Sequence, residues 1–181
     1  VEDVFSSILD LQTNEKIPVS MGALLPYYQQ GNIRIRNKKY IYKGTVSSTS
    51  FNDVLKYANQ LLNAPYLWGG KSILGIDCSG FTQLVYQLCG IYLPRDAYQQ
   101  AEFGDNVKSI DDVLEGDLVF FINDNQKINH VGIALNKKLI IHASGKVRID
   151  QVTKNGIINS ESKSLSHKFH SIKRYTNNSM S

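Results

Sequence analysis

The apolar residues of this chain change their spacing once, and that change limits the folds open to it. Between residues 51 and 88 they recur every three or four positions, as the buried face of a helix does. Phe51, Val54, Leu55, Ala58, Leu61 and Leu62 form one such stripe, and Phe81, Leu84, Val85 and Leu88 form a second. "LPRDAYQQAEFG" (93–104) holds a third, shorter helix. Beyond it the period falls to two, in "GDLVFFI", "HVGIAL", "KLIIHAS" and "KVRID", with turns at 123–125 and 136–138 and a last strand in "KFHSIKRY". Helices first and strands afterwards predict an α+β domain.

The first 46 residues follow another rule. "VEDVFSSILDLQ" and "GNIRIRNKKYIYKGTV", separated by the turn-rich "MGALLPYYQQG", read as short antiparallel strands. "SSTS" (47–50) reads as a linker. The chain is therefore divided into a small all-β domain, 1–48, and an α+β domain, 49–181. Ser50 is placed to cap the first helix, with Asp53 returning the bond, and Ala64-Pro65 to stop it. Gly90 closes the second.

At 181 residues, 42% apolar and 20% charged, the chain can bury a core unaided. No apolar run nears the ~18 residues of a membrane span. The net charge of +4 comes from scattered residues. Only Arg34–Lys39 is locally basic, and its alternation suits the wet face of a strand, so no nucleic-acid partner is expected. The two cysteines, Cys78 and Cys89, fall on one predicted helix. Eleven residues at about 1.5 Å each hold them roughly 16 Å apart, beyond the ~7 Å limit for a disulfide.

Cys78 opens that helix. Unpaired N–H groups and the helix dipole favour an anion there, and a cysteine so placed, beside a histidine, can fall from a pKa near 8.5 to about 3.5–7.5. Asp77 is either the helix cap or a ligand for a substrate amine. Gly69 and Gly70 free the approach, and Ser79 and Gly80 keep the first turn small. Cys89 reads as a small buried apolar residue. A thiolate nucleophile needs a base and a group that orients it. His130 and His142 lie twelve apart around a turn centred on Asn136, which predicts cross-strand neighbours on one face. His130 then pairs with the sulfur, and His142 fixes its tautomer. His167 and His170 read as surface residues. The same Cys-His-His set also suits a zinc ion.

Six pieces, "YLWGG" (66–70), "GIDCSGF" (75–81), "LPRDA" (93–97), "EGDLVFF" (115–121), "NHVGIAL" (129–135) and "IIHAS" (140–144), stand in the order and spacing of the NlpC-type papain-like cysteine peptidases of the bacterial cell wall, which residues 50–175 resemble. The resemblance implies a papain-like fold, with a helical half carrying the cysteine against an antiparallel sheet carrying the histidines. It implies that Cys78 is the nucleophile, His130 the base and His142 the orienting residue, with Tyr66, Trp68, Asp77 and Ser79 lining the substrate cleft. Tyr66 and the Cys78 N–H are implied as oxyanion donors, and Arg95 and Asp96 as structural. The implied reaction is hydrolysis of the γ-D-glutamyl bond to lysine or diaminopimelate in peptidoglycan stem peptides or free muropeptides, through a thioester and without metal or cofactor. The implied setting is extracytoplasmic, in a monomer. The front segment resembles the end of a bacterial SH3-like domain, and Tyr27 and Tyr28 are the residues it would extend toward the substrate. An amidase or acyltransferase, and a wall-binding protein with a dormant peptidase domain, are the alternatives.

Overall fold

The computed structural model describes residues 1–175; the last six positions of the expected second domain lie outside the described residues. The chain divides into two compact units, Val1–Ser48 and Thr49–Ser181. In the first, β1 (Phe5–Asp10), β2 (Lys16–Ser20), β3 (Asn32–Ile35) and β4 (Lys38–Tyr42) form an antiparallel sheet in the order β2-β1-β4-β3. Ile8 faces Tyr42 and Ile33 faces Tyr40. These four side chains and Val1 are buried together, with Val19, Ala23 and Leu25 packed against them. The Tyr42 hydroxyl donates to Asp3 at 2.7 Å, tying the last strand to the first residues.

The second unit opens with a 3₁₀ turn, Phe51–Asp53, whose cap Ser50 accepts the Asn52 N–H, and continues as α1 (Val54–Gln60). The helix is shorter than its apolar stripe suggests. Asn63 enters the left-handed region, at φ 67°, and gives its N–H to Val147. The chain has therefore left the helix before Ala64-Pro65. Tyr57 is fully buried, while Leu62 is turned outward.

A short hairpin, β5 (Lys71–Ser72) and β6 (Gly75–Ile76), leads into α2 (Cys78–Leu88). Most of α2 is buried, as expected of a helix at the centre of a unit, and Gly90 closes it at φ 82°. Gly80 is forced by contact: a Cβ there would lie 2.4 Å from the Gly70 carbonyl oxygen. Then come α3 (Ala97–Gln100) and β7 (Asp105–Val107), followed by β8 (Leu118–Ile122), β9 (Ile128–Ala134), β10 (Leu139–Ser144), β11 (Lys146–Thr153), β12 (Gly156–Ile158) and β13 (Leu165–Arg174).

The sheet order is β12-β11-β10-β9-β8-β13-β7, and β12 also pairs with β13, so strands β8 to β13 close into a ring. Cross-strand partners share a face. Following His130–Phe121, Phe121–Phe169, His142–Gly132, Ile140–Asp150 and Ile157–His167 around the ring puts all four polar side chains on the face of one apolar cluster. That cluster includes Val119, Phe121, Ile140, Val152, Ile157 and Ile172.

The expected hairpin symmetry is off by two residues. Its true centre sets Ala134 opposite Ile140, and His142 faces Gly132 instead of His130. A shift of two preserves the face, so the two rings remain on one side as diagonal neighbours. Gly132 makes this approach passable. A Cβ there would stand 2.8 Å from the His142 Cβ and 2.7 Å from Ile140 Cδ1. Since Gly132 is outside the left-handed region, the constraint is steric. Gly132→Ala should cost about 1–3 kcal/mol by overpacking, read as a lowered urea midpoint in equilibrium denaturation, whereas a native midpoint would show that β9 and β10 yield without strain.

Candidate active site

Asp77 organises the start of α2. Its Oδ1 accepts the Gly80 N–H at 2.7 Å and its Oδ2 the Gly69 N–H at 2.8 Å, so one carboxylate caps the helix and pins the glycine loop before it. Arg95 closes on the same group with two bonds, at 2.6 and 3.1 Å, and gives a third at 3.0 Å to the Ser79 hydroxyl. Burial works against the charge, but the Arg95 bonds and the two N–H groups hold the Asp77 carboxyl below its ordinary value. Both carboxylate oxygens are thus engaged, and of the two roles expected for Asp77 the cap is filled.

Cys78, the first helical residue, is 6% exposed at the floor of a cleft of about 420 Å³. Tyr66, Trp68, Asp77, Ser79 and Arg95 line it with the sulfur, and Asn129 comes in from β9. The Cys78 Sγ lies 3.9 Å from the Asn129 carbonyl oxygen, which puts the thiol beside the residue that precedes His130. Trp68 is 84% exposed, so it is a wall of the cleft and not a core aromatic. A larger groove of about 710 Å³ adjoins, sharing Tyr98 and Ile128, and carries Lys127, His170 and Lys173. Tyr27 and Tyr28 belong to the first unit, where both are exposed. Cys78 and Cys89 are both free thiols.

Behind the cleft runs a chain of hydrogen bonds. His130 Nε2 is 2.8 Å from His142 Nδ1, and His142 Nε2 is 3.1 Å from Asp150 Oδ2. His142 and Asp150 are almost completely buried. Burial opposes ionisation of Asp150, yet the bonds from His142 and from the Ser160 N–H and hydroxyl keep its carboxyl below the ordinary range. Arg148 Nε stands 3.0 Å from the same carboxylate oxygen, within ion-pair distance but not aligned as a hydrogen bond.

An ionised Asp150 fixes every proton up the chain. It accepts, so His142 Nε2 carries hydrogen. In a neutral imidazole the other nitrogen is then a lone pair, so His142 Nδ1 accepts from His130 Nε2. The lone pair of His130 is left on Nδ1. The arrangement makes His130 a base at one defined atom. The facing nitrogens are spent on each other and on Asp150, and among the described residues no group of three or more His, Cys, Asp or Glu is arranged to hold a metal.

Two expectations are corrected here. The helix start was expected to lower the Cys78 thiol. Burial instead pushes it up from its ordinary value, outweighing the Val131, Ser79 and Cys78 N–H groups that favour the thiolate. Burial likewise holds His130 well below its ordinary 6.5, with His142 and His167 adding to the effect. The resting pair is thus a thiol and a neutral imidazole. Second, His167 is not a surface residue. It is half-buried, and its ring stacks on His130 with centroids 4.0 Å apart and planes 24° apart. His170 is exposed, as expected.

Asp150 escaped the sequence reading although a signal for it was present. It lies an even eight residues past His142, across the tight turn at Gly145, which places it on the same face. Arg95 was read as structural; it is that, and it also lines the cleft.

The sequence pattern of the NlpC/P60 family matches residues 63–165. A γ-D-glutamyl-L-lysine dipeptidyl-peptidase of Bacillus cereus is 31% identical over 75% of this chain and 43% of its own length. The protein of the same name from Bacillus subtilis is 40% identical over 50% of this chain and 31% of its own. The chain thus spans less than half of either relative. The crystal structure of a Bacillus cereus NlpC/P60 family protein shares the fold at a TM-score of 0.76 and 22% identity, over 97% of this chain and 62% of that one.

Because the Asp150 pKa is lowered by folding, its contribution to stability is full above its ordinary value of 3.8 and is lost as pH falls through the lower folded value. Asp150→Asn should therefore destabilise by about 3 kcal/mol at pH 7, with the gap to the native protein narrowing progressively below about pH 4. Urea denaturation of both proteins at pH 7, 4 and 3 reads this out, and a gap independent of pH would deny Asp150 its charge.

Proposed function

The chain belongs to the NlpC/P60 family, and from that premise we propose that it is a cysteine endopeptidase that hydrolyses the γ-D-glutamyl–diamino acid bond of peptidoglycan stem peptides. The observation that carries the reading is the run of bonds from Asp150 through His142 to His130, ending beside the strand residue that touches the Cys78 sulfur.

In this reading His130 Nδ1 takes the Cys78 proton as the sulfur attacks the γ-carbonyl carbon. The negative oxygen of the tetrahedral intermediate is met by the Cys78 N–H at the helix start and by the Tyr66 hydroxyl. The imidazolium then gives its proton to the leaving α-amine of the diamino acid, and a thioester remains. Water, activated by His130, attacks the thioester carbon; the γ-D-glutamyl acid leaves and the thiol regains its proton. The charge on His130 during each step is balanced through His142 by Asp150. Arg95 is the cation of the cleft and, with Ser79, suits the free α-carboxylate of D-glutamate. Asp77 acts through Arg95 by fixing its guanidinium.

The papain-like arrangement, the SH3-like character of residues 1–48 and an extracytoplasmic bacterial setting belong to the same reading. The complete relay speaks against a dormant wall-binding protein. An amidase or acyltransferase would use the same three side chains, and its products separate it from a peptidase.

Mass spectrometry of L-Ala-γ-D-Glu-L-Lys and its diaminopimelate analogue, free and N-blocked, should show release of the diamino acid. Cys78→Ala and His130→Ala should each lower this by roughly 10⁴-fold or more, and iodoacetamide should abolish it; retained hydrolysis in Cys78→Ala rejects the reading.

The pH profile gives an independent check. With His130 held well below 6.5 by burial, the base remains unprotonated on the acid side of that value. The acid limb of kcat/KM is expected below pH 6.5, and a limb above it would mean that another group limits the rate.

A further inference from the structure

Among the described residues His167 has no part in the hydrogen-bond chain, yet its ring is the nearest to His130. The centroids are 4.0 Å apart, against 5.0 Å for His142 and 5.9 Å for Phe121. The three contacts differ in kind. His142 meets the edge of His130 and holds Nε2. Phe121 is tilted at 47°. Only His167, at 24°, lies against the imidazole face.

The Nε2 bond fixes one point on the His130 ring. It leaves rotation about the line through that point free, and in the proposed reaction a rotated ring would present Nδ1 in the wrong direction to take the thiol proton. A flat neighbour on the face removes this freedom. We infer that His167 is a positioning residue for the reaction: its ring, stacked on His130, holds the base in the plane from which Nδ1 can take the Cys78 proton.

The fold supports this placement twice over. His167 is fixed on β13 by pairing with Ile157 of β12, at the seam that closes the strand ring. Its Nδ1 is 3.0 Å from the Ser166 hydroxyl, so that nitrogen is engaged on its own strand and not by the relay. Phe121 meets the ring at 6.2 Å from another side. Burial lowers the His167 pKa to about 4, so the ring on His130 is uncharged at neutral pH and sets no second cation against the imidazolium formed in catalysis. What His167 supplies is a planar uncharged face, and that defines which substitutions should keep it.

The inference rests on His130 being the base, and the test separates the two. His167→Phe and His167→Leu both fill the site with apolar volume, but only phenylalanine offers a flat face. With L-Ala-γ-D-Glu-L-Lys as substrate, His167→Leu should lose about ten-fold in kcat with KM within two-fold of native, a misplacement effect. His167→Phe should remain within three-fold of native. The alkylation rate of Cys78 by iodoacetamide at pH 7, which needs no substrate, should follow the same order. Native kcat in His167→Leu, a loss in His167→Phe as large as that in His167→Leu, or a change confined to KM overturns the inference. If His130→Ala leaves kcat and alkylation native, the base assignment itself falls; if His130→Ala is inert and His167→Leu is native, only the role of His167 does.

Discussion

A single buried carboxylate decides which nitrogen of His130 is able to accept a proton. Asp150 can only accept, and each imidazole between it and the cleft has one donor and one acceptor to offer. The protons are therefore ordered from the inside outward. That ordering depends on register. His142 reaches Asp150 because β10 and β11 pair with Ile140 against Asp150, and it reaches His130 because Gly132 lets β9 and β10 approach without a side chain between them. A one-residue slip in either pairing would turn one member of the chain to the other face.

Burial and charge compete throughout the site, and the outcome differs by residue. Asp77 and Asp150 stay ionised because each is surrounded by donors. Cys78 and His130 have too few opposing charges to offset desolvation, so thiol and imidazole both rest neutral. In the proposed reaction, charge separation is deferred to the moment of attack. The groups that will stabilise it, the first-turn N–H groups of α2 and the His142–Asp150 pair, already stand in place. A helix start was a sound reason to expect an activated sulfur. It failed here as a ground-state argument because the dipole acts on a residue that is almost wholly enclosed.

What could be read in the sequence was mostly local. The change of apolar spacing gave the helices and the sheet, Asp77-Cys78 gave a helix start, and an even separation put His130 and His142 on one face. The errors came from contacts that spacing does not encode. The β9–β10 turn is centred beyond Asn136, so the direct partner of His142 is Gly132. The first helix ends early because Asn63 binds Val147, far along the chain. His167 looks like a residue of a polar tail, and only the closure of β12 on β13 brings it against the base. Asp150 was open to the same parity argument as the histidines, applied one hairpin further.

The seam between β12 and β13 has a bearing on when the site is complete. In a chain that reaches only to Asp150, Cys78, His130 and His142 are already present. The ring is still open at that stage. Strand β13 has yet to pair with β8 and β12, and the Arg174–Asp117 ion pair at 2.7 Å, which binds the end of that strand to the start of β8, has yet to form. A chain that stopped before β12 would thus carry Cys78, His130 and His142 on an open sheet. The strand ring that sets His130, His142, Asp150 and His167 on one face is therefore complete only when β13 has joined both β8 and β12.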